Sequence, residues 1–148
     1  MAADCIVLGC DSMLFFNDAL HGKPWSAEAA RQQWISMAGS TGHLITGHAL
    51  LGISNGVITH TNSETASTTV HFGTPTDEEL KDYVDSGEPI HVAGAFTRDG
   101  LGSCFVDGIE GAPSNVVGIS VPLLRRMMKA TGISLTKPWR NADIVRPQ

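Results

Sequence analysis

Cysteine is scarce: Cys5, Cys10 and Cys104 are an odd three, with no CxxC pair among them. A secreted disulfide framework carries an even and denser set, so these read as buried free thiols. Charge is sparse too, at 17% of residues against roughly 25% in an average globular protein, which excludes disorder driven by self-repulsion. The balance is acidic, net −5, without the basic stripe that grips a nucleic-acid polymer. A few local Lys and Arg residues can still hold a small phosphorylated molecule. No stretch approaches the ~18 consecutive apolar residues of a membrane span, and no basic-then-apolar leader is present. A soluble, cytoplasmic protein with no membrane partner is expected.

Familiar catalytic signatures are absent as well. Neither a Walker P-loop nor a GxGxxG fingerprint occurs. The six histidines (His21, His43, His48, His60, His71, His91) are scattered, with no HExxH and no CxxC…HxxxH arrangement. His43 and His48 stand an odd number of residues apart, so on a strand they face opposite sides. All six read as ordinary surface or strand histidines. Ser12 and Ser114 lack a GxSxG setting and an identifiable base, which argues against a serine hydrolase.

What is present suits one packed core: 148 residues, 42% of them hydrophobic. The apolar run 5–9 reads as a buried strand ending at Gly-Cys-Asp-Ser, and 14–16 as a second short strand before an Asn17-Asp18 turn. Ser26 caps a helix with Ala27, Ala30, Trp34, Met37 and Ala38 along one face and Gly39 as its stop. From 42 to 72 the texture is β, broken by Asn55-Gly56, whose positive φ angles make a type I′ hairpin. Thr76 and Glu79 form a capping box for a second helix, with Leu80, Tyr83 and Val84 inward and Gly87 and Pro89 as the stop. A third helix starts after Ser120 and buries Leu123, Leu124, Met127 and Met128. The expected architecture is α/β, a mixed sheet flanked by helices with a ligand cleft, in one domain over 1–136 with an irregular tail over 137–148.

Three features can carry chemistry. Asp11 follows directly on an apolar strand, where its carboxylate projects from the strand end and can hold a divalent cation or take a proton from water. An Asp that merely caps a turn is the plainer alternative. Lys23, in Gly-Lys-Pro ahead of a helix, offers a compact ammonium for phosphate, although a lone surface Lys is commoner. The stretch 94–118 holds six of the 16 glycines. Such density lets backbone N–H groups approach an anion or a base edge; a chain of tight turns would explain it equally.

Together these pieces resemble the Maf family of nucleoside triphosphate pyrophosphatases, associated also with septum formation. The matching residues are Leu8-Gly9-Cys10-Asp11-Ser12, Gly22-Lys23-Pro24, Ser36-Met37-Ala38-Gly39-Ser40, Thr46-Gly47, Asp77-Glu78-Glu79-Leu80 and Ser86-Gly87-Glu88-Pro89. They continue through Ala93-Gly94-Ala95-Phe96, Asp99-Gly100-Leu101-Gly102 and Ile109 to Gly118. Motifs in consistent order over residues 5–130 are far more specific than any one glycine pattern.

The resemblance implies an α/β fold with a cleft that hydrolyses nucleoside triphosphates to monophosphate and pyrophosphate, as nucleotide house-cleaning, with Mg or Mn as divalent cation. It assigns the proton acceptor and metal ligand to Asp11 and phosphate contact to Lys23, and it places Ser12, Asp99, Ser114 and Asn115 at the substrate. Dimers are common in similar proteins, so a homodimer is a possible state. Two departures stand out. Asp99 replaces a Gln common in the family, leaving only acceptors once ionised. The family's opening strand and Ser-x-x-Arg-Arg turn have no counterpart before Asp11, which implies an N-terminally truncated fold with an open sheet edge and weaker triphosphate binding. A catalytically impaired nucleotide-binding or regulatory module is therefore the alternative.

Overall fold

The computed structural model describes residues 4–136. The described residues form five strands and four helices in the order β1 (Cys5–Phe16), β2 (Ala19–His21), α1 (Ala27–Met37), β3 (Thr41–Ser54), β4 (Val57–Phe72), α2 (Asp77–Asp85), β5 (Val106–Glu110), α3 (Pro113–Val117) and α4 (Val121–Ala130). Short 3₁₀ turns at Glu88–His91, Ala93–Ala95 and Leu101–Phe105 fill the passage from α2 to β5. The sheet order is β2-β1-β3-β4-β5, and every described pairing is antiparallel. This is the expected α/β class with a sheet flanked by helices, the described strands being antiparallel throughout where a mixed sheet was expected. The tail over 137–148 lies outside the described residues.

Local sequence accounts for the ends of the elements. The Ser26 hydroxyl accepts from the Ala29 N–H at 3.1 Å, capping α1. Thr76 and Glu79 close the capping box of α2, and these hydrogen bonds hold the Glu79 carboxyl below its ordinary pKa. Asn55 and Gly56 take φ of 51° and 77°, the left-handed pair that a type I′ turn between β3 and β4 demands.

The helices cover one face of the sheet. Leu14, Leu44, Val70 and Phe72 pack against Ala30, Trp34 and Met37 of α1 and Leu80, Tyr83 and Val84 of α2. Trp34 anchors this cluster, edge-on to Phe72, Tyr83 and Phe105, and its indole N–H donates to the Ala95 carbonyl at 2.6 Å. A second, smaller cluster joins Leu50 to Leu123 and Met127 of α4.

Several details differ from the sequence reading, each for a physical reason. The two short strands of 5–9 and 14–16 are one continuous β1, because Gly9 to Met13 keep the ladder opposite Ala49 to Ile45. That ladder leaves Asp11 in mid-strand, paired with Gly47, rather than at a strand tip. The 5–9 run is largely exposed, Ile6 at 40% and Val7 at 42%, since the long strands extend past the helices that cover them. All three cysteines are exposed rather than buried, Cys5 for the same reason and Cys10 because it lines an open cleft. Leu124 and Met128 are only half-buried beside the fully enclosed Leu123 and Met127. His48 is no surface histidine: it is buried, its Nε2 accepts from the Ser120 N–H at 2.9 Å, and its Nδ1–H therefore donates to the Thr46 carbonyl. Among the described residues, Cys5–Met13 of β1 pairs with β3 alone, while Leu14 and Phe15 pair with both β2 and β3.

Candidate active site

Three separate stretches meet at a cleft of about 330 Å³ beside β1. β1 contributes Cys10, Asp11 and Ser12, the β2–α1 loop contributes Lys23, and the turns after α2 contribute His91, Thr97 and Asp99. Val116, Val117 and Gly118 at the end of α3 complete the wall. Four of the six sequence-predicted site residues, Asp11, Ser12, Lys23 and Asp99, thus line one cavity.

The carboxylate of Asp11 is exposed, and its Oδ1 accepts from the Ser12 N–H at 2.9 Å, which fixes the group's orientation on the strand. Ser12 exchanges a 2.8 Å hydrogen bond with Thr46, a fully buried residue directly across the ladder. Rigid sheet therefore holds this end of the cleft.

The opposite rim is made of loops, and backbone hydrogen bonds fasten them together. The Gly94 N–H donates to the Gly22 carbonyl at 3.1 Å and the Trp25 N–H to the Ile90 carbonyl at 3.0 Å, so the Lys23 loop is tied to the turns that follow α2. Lys23 carries its ammonium 5.3 Å from the centre of the Trp25 ring.

Glu88 organises the Asp99 loop. Its carboxylate accepts from the Thr97 hydroxyl, from the Leu101 N–H at 2.9 Å and from the Gly102 N–H at 2.9 Å. Burial acts to raise its pKa, but the donors outweigh burial and hold the group below its ordinary value. Two glycines permit this wrap: a Cβ on Gly100 would lie 2.5 Å from Glu88 Oε2, and one on Gly102 would overlap the Tyr83 hydroxyl and sit 2.8 Å from Thr97 N. At these positions the glycine density serves the fold. Tyr83 itself is pushed well above the usual phenol range by burial; its hydroxyl neighbours Thr97 and Glu88 without meeting hydrogen-bond geometry.

Ser114 and Asn115 do not line the cleft. The Ser114 hydroxyl accepts from the Val121 N–H at 3.0 Å, linking α3 to the start of α4. Asn115 is fully buried; its Nδ2 donates to the Leu44 carbonyl and the Thr68 hydroxyl, both at 3.2 Å, while its Oδ1 has no partner. These contacts pin α3 onto the sheet and so place the wall at Val116–Gly118.

The family described as Maf-like protein matches residues 1–131 of the chain. The chain belongs to the Maf family. A nucleoside triphosphate pyrophosphatase of Mycolicibacterium vanbaalenii is 65% identical over 140 residues, covering 95% of the chain and 67% of the relative. The protein of the same name from Mycolicibacterium gilvum is 63% identical over 139 residues, covering 94% and 66%. One from Nocardia farcinica is 51% identical over 140 residues, covering 95% and 66%. The chain spans about two thirds of the length of these curated relatives.

Within the Maf chain, sequence reasoning missed Thr97 and His91 as cleft residues and Glu88 as the support of the Asp99 loop. Glu88 stood inside a quoted motif, yet no spacing rule marks a carboxylate whose partners lie nine to fourteen residues downstream. His91 and Thr97 carry no local signal at all. Among the described residues no helix is long and apolar enough to cross a membrane.

Proposed function

We propose that this Maf chain hydrolyses nucleoside triphosphates to nucleoside monophosphate and pyrophosphate, as the names of its relatives suggest, with Asp11 acting on the nucleophilic water and Lys23 on the phosphates. The observation that carries the reading is the convergence of Asp11, Lys23 and Asp99 on one cleft from stretches 12 and 76 residues apart.

The reaction needs little covalent chemistry from the protein. Water oxygen bonds to the α-phosphorus, the bridge to the β-phosphate breaks, and pyrophosphate departs. Positioning and charge neutralisation do the rest. Asp11, oriented through the Ser12 N–H, holds the water and accepts its proton. Lys23 meets phosphate charge at the opposite rim, and Ser12 offers a hydroxyl beside it. Asp99 presents acceptors only, which suits the amino and imino edges of a base.

A divalent cation fits the donor set. No group of three metal-binding side chains exists among the described residues, so the cleft is no dry protein cage. Two carboxylates, Asp11 and Asp99, on a solvated cleft suit a hard oxygen-loving ion such as Mg or Mn that keeps waters and takes substrate phosphates as its remaining ligands. Such an ion would lower the pKa of bound water and screen the phosphates.

Pyrophosphate release over a nucleotide panel, with Mg²⁺ or Mn²⁺ supplied, tests the proposal. Asp11→Asn should lower kcat by at least ~100-fold, the usual worth of a positioned base. Equal rates for the two proteins would remove Asp11 from the mechanism. Nucleotide binding by the wild-type chain without any pyrophosphate release would make it a binding module instead.

A further inference from the structure

Trp25 is conspicuous on two counts. Its indole is 68% exposed, the highest value among the large hydrophobic side chains of the described residues. Its backbone lies at φ 64°, a left-handed conformation that bulky residues rarely adopt. Such strain persists only where surrounding contacts determine it, and it collects where a side chain must be aimed. Here the Trp25 N–H is held by the Ile90 carbonyl at 3.0 Å. The ring is thereby set between two cleft residues: the Lys23 ammonium lies 5.3 Å from its centre, and the His91 ring meets it edge-on at 5.8 Å.

We propose that Trp25 is a positioning residue for Lys23, deepening the pyrophosphatase reading on which this inference rests. The ring face attracts the ammonium, limiting a long, flexible side chain to the cleft side of its loop. The ring also meets the His91 ring edge-on, so it is held against a second residue of the same rim of the cleft. Neither a turn requirement nor core burial accounts for tryptophan here: glycine or asparagine would take the φ more easily, and the indole buries little.

The test titrates inorganic pyrophosphate and a nucleoside triphosphate, each with Mg²⁺, into the full chain by calorimetry. Wild type is compared with Trp25→Tyr, Trp25→Leu and Trp25→Gly, and with Lys23→Gln alone and combined with Trp25→Leu. Loss of the ring should weaken both ligands by about two- to five-fold, the range of an exposed cation–π contact, and Tyr should restore most of it. In the Lys23→Gln background Trp25→Leu should have no further effect, since the interaction it removes is already gone. Trp25→Gly should melt no lower than wild type, because it relieves the left-handed backbone while weakening binding. Weakened triphosphate binding with unchanged pyrophosphate binding would overturn the proposal in favour of base stacking. Unchanged binding of both by Trp25→Leu, additive losses with Lys23→Gln, or a sharp drop in melting temperature for Trp25→Gly would overturn it too. If wild type binds neither ligand, the pyrophosphatase reading itself falls; if wild type binds and hydrolyses while the variants match it, only the role of Trp25 falls.

Discussion

Replacing Glu88 by Gln tests whether one carboxylate holds the Asp99 side of the cleft in shape. The substitution keeps size and removes charge. In the wild-type protein Oε1 accepts from Thr97 and Gly102 and Oε2 accepts from Leu101, so all three bonds are charge-assisted. With the amide oxygen in the Oε1 place, two bonds survive as neutral ones, each weaker by roughly 1 kcal/mol. The amide NH₂ then faces the Leu101 N–H, donor against donor. Leu101 is exposed, so water can rescue that N–H and the added cost stays near 1 kcal/mol. The sum is about 2–3 kcal/mol, which for a chain of this size lowers Tm by about 5–10 °C. The effect also has a pH signature. Because the folded pKa of Glu88 lies below its ordinary value, its contribution is complete above 4.5 and is lost as pH falls through the depressed folded value. Melting curves for the two proteins should therefore differ most near pH 7 and converge in acid. A Glu88→Gln protein that melts within ~1 °C of wild type at pH 7, or a gap that widens in acid, would refute the account.

Two further substitutions probe the same framework. Gly102→Ala places a methyl group against the Tyr83 hydroxyl and 2.8 Å from Thr97 N, so a loss of about 1–3 kcal/mol in denaturant unfolding is expected, with weakened nucleotide binding because Thr97 lines the cleft. Thr76→Ala removes half of the capping box of α2, remote from the cleft; it should cost about 1 kcal/mol while leaving KM unchanged.

Elements with a local cause were legible in the sequence: the Ser26 and Thr76 caps, the Asn55-Gly56 turn and the apolar faces of α1 and α2 all follow from residues within a few positions of one another. Asp11, Lys23 and Asp99 were legible as candidates because their motifs are local, although only the fold shows that they share a cavity. What was hidden depends on long-range packing. The burial of 5–9 was misjudged because apolar content fixes a strand but not whether a helix will cover it. His48 and Glu88 were hidden because their partners, Ser120 and the 97–102 loop, are distant in sequence. The glycines at 100 and 102 were ambiguous for the same reason: their purpose is the approach of Glu88 and Tyr83, which spacing cannot reveal.

The cleft's own charges argue for how it meets a polyanion. Asp11 and Asp99 together outweigh Lys23 by one negative charge, and the whole chain is acidic at net −5. A bare triphosphate would approach this surface against repulsion from both carboxylates. The same two carboxylates become attractive once the ligand arrives with a divalent cation, because the cation needs oxygen donors beyond the phosphates and Asp11 and Asp99 have them free to give. On the function proposed above, Lys23 then has the smaller task of orienting phosphate rather than neutralising it. Orientation is what a single ammonium held over an aromatic ring can supply, and the strained backbone at Trp25 is tolerable on those terms.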